Sequence, residues 1–215
     1  GRNSAAQVAS ALARGMTHYR NGKNLTARNL LNPLLQFEGN GLAPDDARFV
    51  RQAISKINDK LIFSDYVEPD DPLVDTYLIK SLDLLSAIAP QYKVPWELIA
   101  YINKVDPRRL QPGRYLKVIR GPFHAVVHKS DYRMDFFLKD RHGVSIYACS
   151  FPIGVGEDDS TPEGYFVVTH GGKLTDPDWK NPRTREYFAG GDPKNPIGKF
   201  WIGLTGTDEQ TKDLV

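Results

Sequence analysis

Three stretches in the first 62 residues place apolar side chains at the three- and four-residue spacing of an α-helix. In the first stretch these side chains are Val8, Leu12, Met16 and Tyr19. In the second they are Ala27, Leu30, Leu31 and Leu34. In the third they are Phe49, Val50, Ala53, Ile54, Ile57 and Leu61. The pattern predicts three amphipathic helices, with Pro33 expected to kink or restart the second and Pro44 near the first turn of the third.

Local signals agree with these helices. Ser4 and Gln7 fit a capping box for the first helix, and Asp45 and Asp46 suit the positive end of the third helix dipole. The spacing Y-x-x-G followed by A-R-x-L-L also resembles a tetratricopeptide unit. Because such arrays need several copies to bury their faces, a small accessory helical bundle is the alternative interpretation.

An acidic, proline-bearing segment at residues 65–75 is typical of a linker. A strand–helix–helix–strand pattern follows, with the segments TYLIK, SLDLLSAIAPQY, VPWELIAYINK and LQPGRYLKVIR. In the first of these two helices, the residues expected to face inward are Leu82, Leu85, Ile88 and Ala89. The order of elements predicts a compact βααβ module.

From residue 120 onward, short β-branched and aromatic runs alternate with Gly, Pro and Asp turns. The runs are HAVVHK, YRMDFFLKD, VSIYACSFPIG, GYFVVTHGG and FWIGLTG. Strands at this spacing predict a barrel or a sandwich. The predicted fold class is therefore α+β and multidomain, with a helical region at 1–64, the linker at 65–75, the βααβ module at 76–119 and a mainly β domain at 120–215.

Composition narrows the classes of function. The 215 residues carry a formal net charge of +2 with Lys and Arg spread along the chain, so nucleic acid is not an expected partner. No apolar run is long enough to span a bilayer, and the first ten residues lack the basic and apolar regions of a signal peptide. The single cysteine, Cys149, excludes an internal disulfide and a cysteine-rich metal site.

The βααβ module resembles a LysM module, a small unit that binds N-acetylglucosamine polymers. The residues that carry the resemblance are Tyr77, Asp83, Leu85, Ile88, Ala89, Tyr92, Val94, Leu98, Asn103 and the segment LQPGRYLKV. Where the family has Gly-Asp-Thr in its first loop, this chain has Leu82-Asp83-Leu84. The resemblance implies glycan contacts from Asp83, Asn103 and Gly113, and a packing or spacer module is the alternative.

The following region resembles the front half of an L,D-transpeptidase catalytic domain. The matching positions, in order, are Gly154, Thr161-Pro162-Glu163-Gly164, Phe166, Pro177-Asp178-Trp179 and Gly191 through Gly198. The resemblance covers nearly all of residues 120–204. It implies a cell-wall protein outside the cytoplasmic membrane, in the cell envelope, with peptidoglycan stem peptides and glycan strands as partners. It leaves the oligomeric state open.

The L,D-transpeptidase resemblance also implies a mechanism. A cysteine thiolate activated by a histidine attacks a stem-peptide carbonyl, and an amine or water resolves the acyl-enzyme without a metal or organic cofactor. The family's catalytic I-H-G-T and S-x-G-C-x-R segments are absent from this sequence and are expected beyond Val215. No catalytic residue is therefore assigned here, and Asn195, Pro196 and Gly198 are expected to form a wall of the substrate site.

Two other interpretations stay open. One is a non-catalytic protein that binds peptidoglycan through the LysM-like module. The other is a thiol hydrolase that uses Cys149 and His170, although Cys149 lies in an alternating strand without the cationic or glycine-rich setting that activates a thiol.

No metal site is expected. The histidines His124, His128 and His142 lack metal-ligand spacing, and the acidic residues 157–159 are expected to form a solvated turn. A β domain that stops after FWIGL is also expected to expose an apolar face and a sheet edge.

Overall fold

The computed structural model describes residues 5–35, 42–156 and 160–212. It divides into two compact units, which we call unit 1 (residues 1–154) and unit 2 (residues 155–215). Within the described ranges the chain forms five α-helices and several small antiparallel sheets. The predicted α+β class is therefore confirmed.

Unit 1 begins with the three predicted helices. They are α1 (Ala5–Arg20), α2 (Asn24–Leu31), which continues into a 3-10 turn (Asn32–Leu34), and α3 (Pro44–Leu61). Pro33 lies in the 3-10 turn, where its ring and missing N–H do not interrupt an α-helical ladder. The placement of Phe49 on the buried face of α3 was wrong, because this side chain is exposed while Asn58 is buried. Ser4, the predicted cap of α1, lies outside the described residues.

The βααβ module follows. Its elements are β1 (Val74–Leu78), α4 (Leu85–Tyr92), α5 (Trp96–Asn103) and β2 (Tyr115–Ile119). The two strands pair antiparallel, with Leu78 opposite Tyr115 at one end of the ribbon. Each helix ends at a lysine in the left-handed conformation, Lys93 after α4 and Lys104 after α5, which turns the chain out of the helix.

The start of α4 differs from the prediction. Leu82 has a φ of 67°, a left-handed conformation that a regular α-helix cannot include, so α4 begins at Leu85 instead of Ser81. Leu82 is 96% exposed, and the expectation that it faces the core was wrong. Residues 79–84 are therefore a loop, and the apolar spacing of this helix is correct only from Leu85 onward.

A three-stranded antiparallel sheet completes unit 1. Its strands are β3 (His124–His128), β4 (Arg133–Lys139) and β5 (Ser145–Pro152), in the order β3-β4-β5. The amide of Asn58 on α3 donates to the carbonyls of Tyr147 and Ala148 at 2.8 and 3.0 Å. Asn32 donates to the carbonyl of Ser145 and accepts from the N–H of Tyr147. The sheet is thus joined to the N-terminal helices by side-chain amides.

The described strands are not hydrogen-bonded into one closed barrel. They fall into separate small sheets. Strands β4 and β5 pack with the helices of unit 1, whereas β3 is largely exposed. The boundary between the two units lies near residue 154, inside the segment 120–215 that the sequence pattern treats as one region. Strand periodicity predicted the strands themselves, but it carries no information about which surface each sheet covers.

A buried ion pair lies at the centre of unit 1. The guanidinium of Arg28 on α2 donates two hydrogen bonds to the carboxylate of Asp71, at 3.0 and 2.7 Å. Both side chains are fully buried. The same carboxylate accepts the N–H of Leu73 just before β1, so the ion pair fixes the entry into the βααβ module. Asp71 belongs to the predicted linker, which therefore contains part of the polar core.

A buried lysine makes a second connection. The Nζ of Lys117 on β2 donates to the carbonyls of Leu61, Ser64 and Tyr66 at 2.7, 2.8 and 2.6 Å. These carbonyls belong to the C-terminus of α3 and the turn after it, where α-helical partners are missing. Burial lowers the pKa of Lys117 from 10.5 to about 8. The βααβ module is thus attached to α3 as well as to α2.

Unit 2 has two small ribbons. They are β6 (Phe166–Thr175) paired with β9 (Phe200–Gly206), and β7 (Trp179–Lys180) paired with β8 (Tyr187–Phe188). Large apolar residues of this unit are exposed: Tyr165, Val167, Val168, Leu174, Tyr187, Phe200, Trp201, Ile202 and Leu204. Asn195 and Thr211 are its buried polar residues. Apolar side chains are therefore exposed along both strands of the β6–β9 ribbon.

We expect Arg28→Met to destabilise the protein by about 3 to 5 kcal/mol, because it leaves the Asp71 carboxylate buried without a cation. Urea unfolding measures this loss. Arg48→Met is the matched control, since Arg48 forms an exposed pair with Asp45 and its loss costs about 1 kcal/mol or less. A cost for Arg28→Met no larger than that of the control would contradict a central role for the buried pair.

A second prediction concerns pH. The pKa of Lys117 is lower in the folded chain than the 10.5 of a free lysine, so the folded state loses this proton first as pH rises. The contribution of Lys117 to the free energy of unfolding therefore increases with pH between about 8 and 10.5. The stability difference between wild type and Lys117→Met should shift by about 2 kcal/mol in favour of wild type from about pH 7 to about pH 9.5. A difference that stays constant would refute the lowered pKa.

Candidate functional site

Two loops of the βααβ module meet at the end of its ribbon. We call them loop 1 (residues 79–84) and loop 2 (residues 104–114). The N–H of Ile79 donates to the carbonyl of Arg114, and the carbonyl of Ile79 accepts from the N–H of Gly113, both at 2.9 Å. These bonds extend the β1–β2 pairing, so the two loops form one continuous surface.

Gly113 leaves the backbone of this surface open. Its φ is +86°, which favours glycine, and no atom lies within 4 Å of the place that a Cβ would occupy. A ligand can therefore approach the backbone of loop 2 closely. The sequence-based proposal that Gly113 contacts a glycan stays a prediction.

Asp83 acts inside loop 1. Its carboxylate accepts the hydroxyl of Tyr77 at 3.0 Å and the N–H of Lys80 at 2.8 Å. The hydrogen bond to Asp83 raises the pKa of the Tyr77 phenol, and burial adds to the shift. The carboxylate therefore holds loop 1 against β1, and its role here is to position the loop.

Asn103 acts in the same way for loop 2. Its amide nitrogen donates to the carbonyls of Ile99 and Lys117, both at 2.8 Å, and its oxygen accepts the N–H of Lys117 at 2.8 Å. Both amide hydrogens are thus used within the module. Asn103 fixes the end of α5 to β2 and sets where loop 2 begins.

Several apolar side chains are exposed on this surface. Leu82 and Leu84 project from loop 1, at 96% and 59% exposure, and Leu78 and Tyr115 are exposed where the ribbon ends. The sequence analysis placed Leu82 in the core and did not select the others. The sequence did contain a sign that Leu82 lies in a loop. Leu82 stands where the family has a glycine, and a glycine often marks a left-handed φ.

Loop 2 is rich in cations. The exposed cations of the two loops are Lys80, Lys104, Arg108, Arg109 and Arg114. Lys104 pairs with Asp65 at 3.1 Å, and Arg109 lies 4.0 Å from Asp106. Asp106 also accepts the N–H of Arg108, which fixes the start of the turn. The surface between the loops therefore combines apolar and positively charged side chains.

A concave surface elsewhere in unit 1 has a volume of about 460 Å³. It lies between residues 67–76 and the turn formed by Arg141 and His142, and it contains none of the predicted site residues. Its carboxylates include Asp71, which the buried ion pair already occupies, and Asp75, which pairs with Arg120.

The thiol of Cys149 is not activated. Burial, together with the nearby carboxylates of Asp59 and Asp135, raises its pKa to about 11. His170 is exposed on β6, which belongs to the other unit. Such a setting opposes the chemistry that a thiol hydrolase requires, because the thiolate is the nucleophile.

The histidines and carboxylates form no metal-binding cluster within the described residues. His128 instead pairs with the buried carboxylate of Asp135 at 3.2 Å, which also accepts from Arg133. Residues 157–159, expected to form a solvated turn, lie outside the described residues.

The predicted wall residues of unit 2 lie in an ordered loop. Asn195 is buried, and its amide donates to the carbonyl of Pro177 at 3.0 Å while its oxygen accepts the N–H of Ile197. Pro196 is exposed, and Gly198 has a φ of +70°. Asn195 therefore links the Pro-Asp-Trp segment to the Asn-Pro loop.

We expect Cys149 to react with iodoacetamide about 100-fold more slowly in the folded chain than in urea, because its thiolate fraction near neutral pH falls with the raised pKa. Mass spectrometry follows the modification over time. Equal rates in the folded and unfolded chain would show that the thiol is accessible and that its pKa is not raised, and would contradict this account of Cys149.

No helix in the described ranges combines the length and the apolar character that crossing a membrane requires. The LysM domain family model matches residues 77–118. No curated protein and no solved structure matches the chain. Nothing in these comparisons supports the resemblance to an L,D-transpeptidase catalytic domain. The chain contains a LysM domain, a type of module that binds peptidoglycan and related glycans and is typical of extracellular or cell-wall-associated proteins.

Proposed function

We propose that this protein binds peptidoglycan in the cell envelope through the surface formed by loops 1 and 2. The observation that carries the proposal is the junction of the two loops at Ile79, within the residues that match the LysM family. It places the open backbone at Gly113 beside loop 1.

The proposed contacts differ from those implied by the family's Gly-Asp-Thr loop. Leu82 and Leu84 offer exposed aliphatic surface in place of a glycine and a hydroxyl. The N-acetyl methyl groups and the C–H faces of the sugars are apolar, so they can bury this surface. Asp83 and Asn103 contribute by positioning the loops, and Gly113 allows close approach of the glycan.

Leu82 has a further feature that favours a binding role. A left-handed φ lowers the stability of the fold by about 1 kcal/mol at a residue other than glycine. The exposed side chain of Leu82 makes no packing contact that offsets this loss. A cost that folding does not offset is typical of positions used for ligands.

Retention on purified peptidoglycan tests the proposal. We expect wild type to be retained, and Leu82→Ser with Leu84→Ser to lower the affinity by roughly tenfold, because about 2 kcal/mol or less of apolar contact is removed. Val126→Ser on β3 is the matched control, since Val126 is an exposed aliphatic residue outside the LysM domain. Thermal unfolding of each variant separates lost binding from lost folding.

Two results would overturn the proposal. One is no retention of the folded wild-type protein on peptidoglycan. The other is retention that the double leucine variant and the Val126 control reduce equally.

We propose as a second candidate that residues 120–215 derive from an L,D-transpeptidase-type enzyme. The sequence resemblance supports it, together with the contacts that join its two motif segments. Asn195 donates to the carbonyl of Pro177, and the N–H of Gly190 donates to the carboxylate of Asp178 at 2.7 Å. In this proposal Asn195, Pro196 and Gly198 shape one wall of a peptide site and take no part in bond formation.

Reading the natural gene beyond codon 215 tests the second candidate. We expect an open frame that encodes a histidine motif and then a cysteine motif. If the frame continues, mass spectrometry of that longer protein with a tetrapeptide muropeptide should show an acyl adduct on the new cysteine. A stop codon after Val215, or an adduct on Cys149 instead, would refute it.

A further inference from the structure

We propose that the loop surface selects glycans that carry carboxylates, as the stem peptides of peptidoglycan do, over neutral N-acetylglucosamine polymers. This inference rests on the proposed peptidoglycan-binding function and concerns the class of ligand at the same site. The residues assigned to the selection are Lys80 in loop 1 and Arg108 and Arg114 in loop 2.

The first step in the argument is placement. The two hydrogen bonds of Ile79 bring loop 1 to Gly113 and Arg114, and Lys80 is the next residue of loop 1. Lys80 and Arg114 therefore lie on neighbouring loop ends close to Gly113. Both side chains are exposed, as is Arg108.

The second step is charge balance. The two loops contain five cations and two carboxylates, and both carboxylates are engaged inside the loops. Asp83 holds Tyr77 and the backbone of loop 1, whereas Asp106 holds the backbone of Arg108 and lies near Arg109. The surface therefore has an excess of positive charge, although the net charge of the chain is only +2.

The third step concerns Arg114. Its guanidinium donates to the neutral side-chain oxygen of Gln111 at 3.2 Å. This contact orients the side chain without neutralising its charge. A planar guanidinium binds carboxylates in a bidentate manner, which a neutral sugar hydroxyl cannot match in strength.

The fourth step is the neighbouring apolar surface. Leu82 and Leu84 are exposed on the same loop as Lys80. A peptidoglycan stem has alanine methyl groups close to its carboxylates, so it can meet apolar and cationic side chains together. A chitin-type polymer has N-acetyl methyl groups but no anion, and a phosphate polymer such as a teichoic acid has the anion without the alanine stem.

Titration calorimetry on the full chain tests the inference. The ligands are a muropeptide oligomer with free carboxylates, a chitin oligomer of equal sugar number, and purified teichoic acid. The variant carries Lys80→Gln, Arg108→Gln and Arg114→Gln. The control carries Lys56→Gln, Lys139→Gln and Arg141→Gln, which removes the same charge from exposed positions outside the two loops.

We expect the loop variant to bind the muropeptide roughly tenfold more weakly, with unchanged affinity for the chitin oligomer. Added salt should weaken muropeptide binding by wild type and have less effect on the variant. The control should match wild type with both ligands.

Three outcomes would overturn the inference while leaving the proposed function intact. They are equal affinity of wild type for muropeptide and chitin oligomers, equal losses in the loop variant and the control, and tighter binding of teichoic acid than of muropeptide. Failure of wild type to bind either glycan would instead refute the proposed function itself.

Discussion

The buried ion pair between Arg28 and Asp71 determines how unit 1 is organised. Two charges with no solvent exposure are tolerated because the hydrogen bonds between them are bidentate. Asp71 also accepts the N–H of Leu73, so the pair sets the position where β1 begins. The second attachment, from Lys117 to the end of α3, depends on that position, since β2 pairs with β1.

The position of the candidate site depends on where β1 lies. Ile79, one residue beyond β1, joins loops 1 and 2, and Asp83 and Asn103 hold each loop from inside the module. The Asp83 carboxylate and the Asn103 amide therefore form their hydrogen bonds within the module. In the proposed function, the glycan is recognised by the exposed leucines, the open backbone at Gly113 and the cations, and not by a glycine and a threonine of loop 1.

The sequence predicted the local elements well, because amphipathic spacing and turn residues act over short distances. The LysM domain was also predicted, from the order of its elements together with a few residues. The sequence did not predict which elements share a core. Asn58 and Tyr147 lie 89 positions apart, and no periodic pattern relates them. Likewise the sequence around Asp71 is acidic and proline-bearing, as in a solvated linker. Its burial becomes evident only from the ion pair with Arg28 on α2.

The attachment of Lys117 to α3 has a mechanical consequence. A glycan-binding module on a flexible tether can reorient freely, and a pull on its ligand would first straighten the tether. Here residues 65–75 follow α3 closely, and the ammonium of Lys117 binds three carbonyls of that region. If the module binds a glycan strand as proposed, tension applied through that strand is transmitted directly to the helices, and the angle between module and helices stays constant.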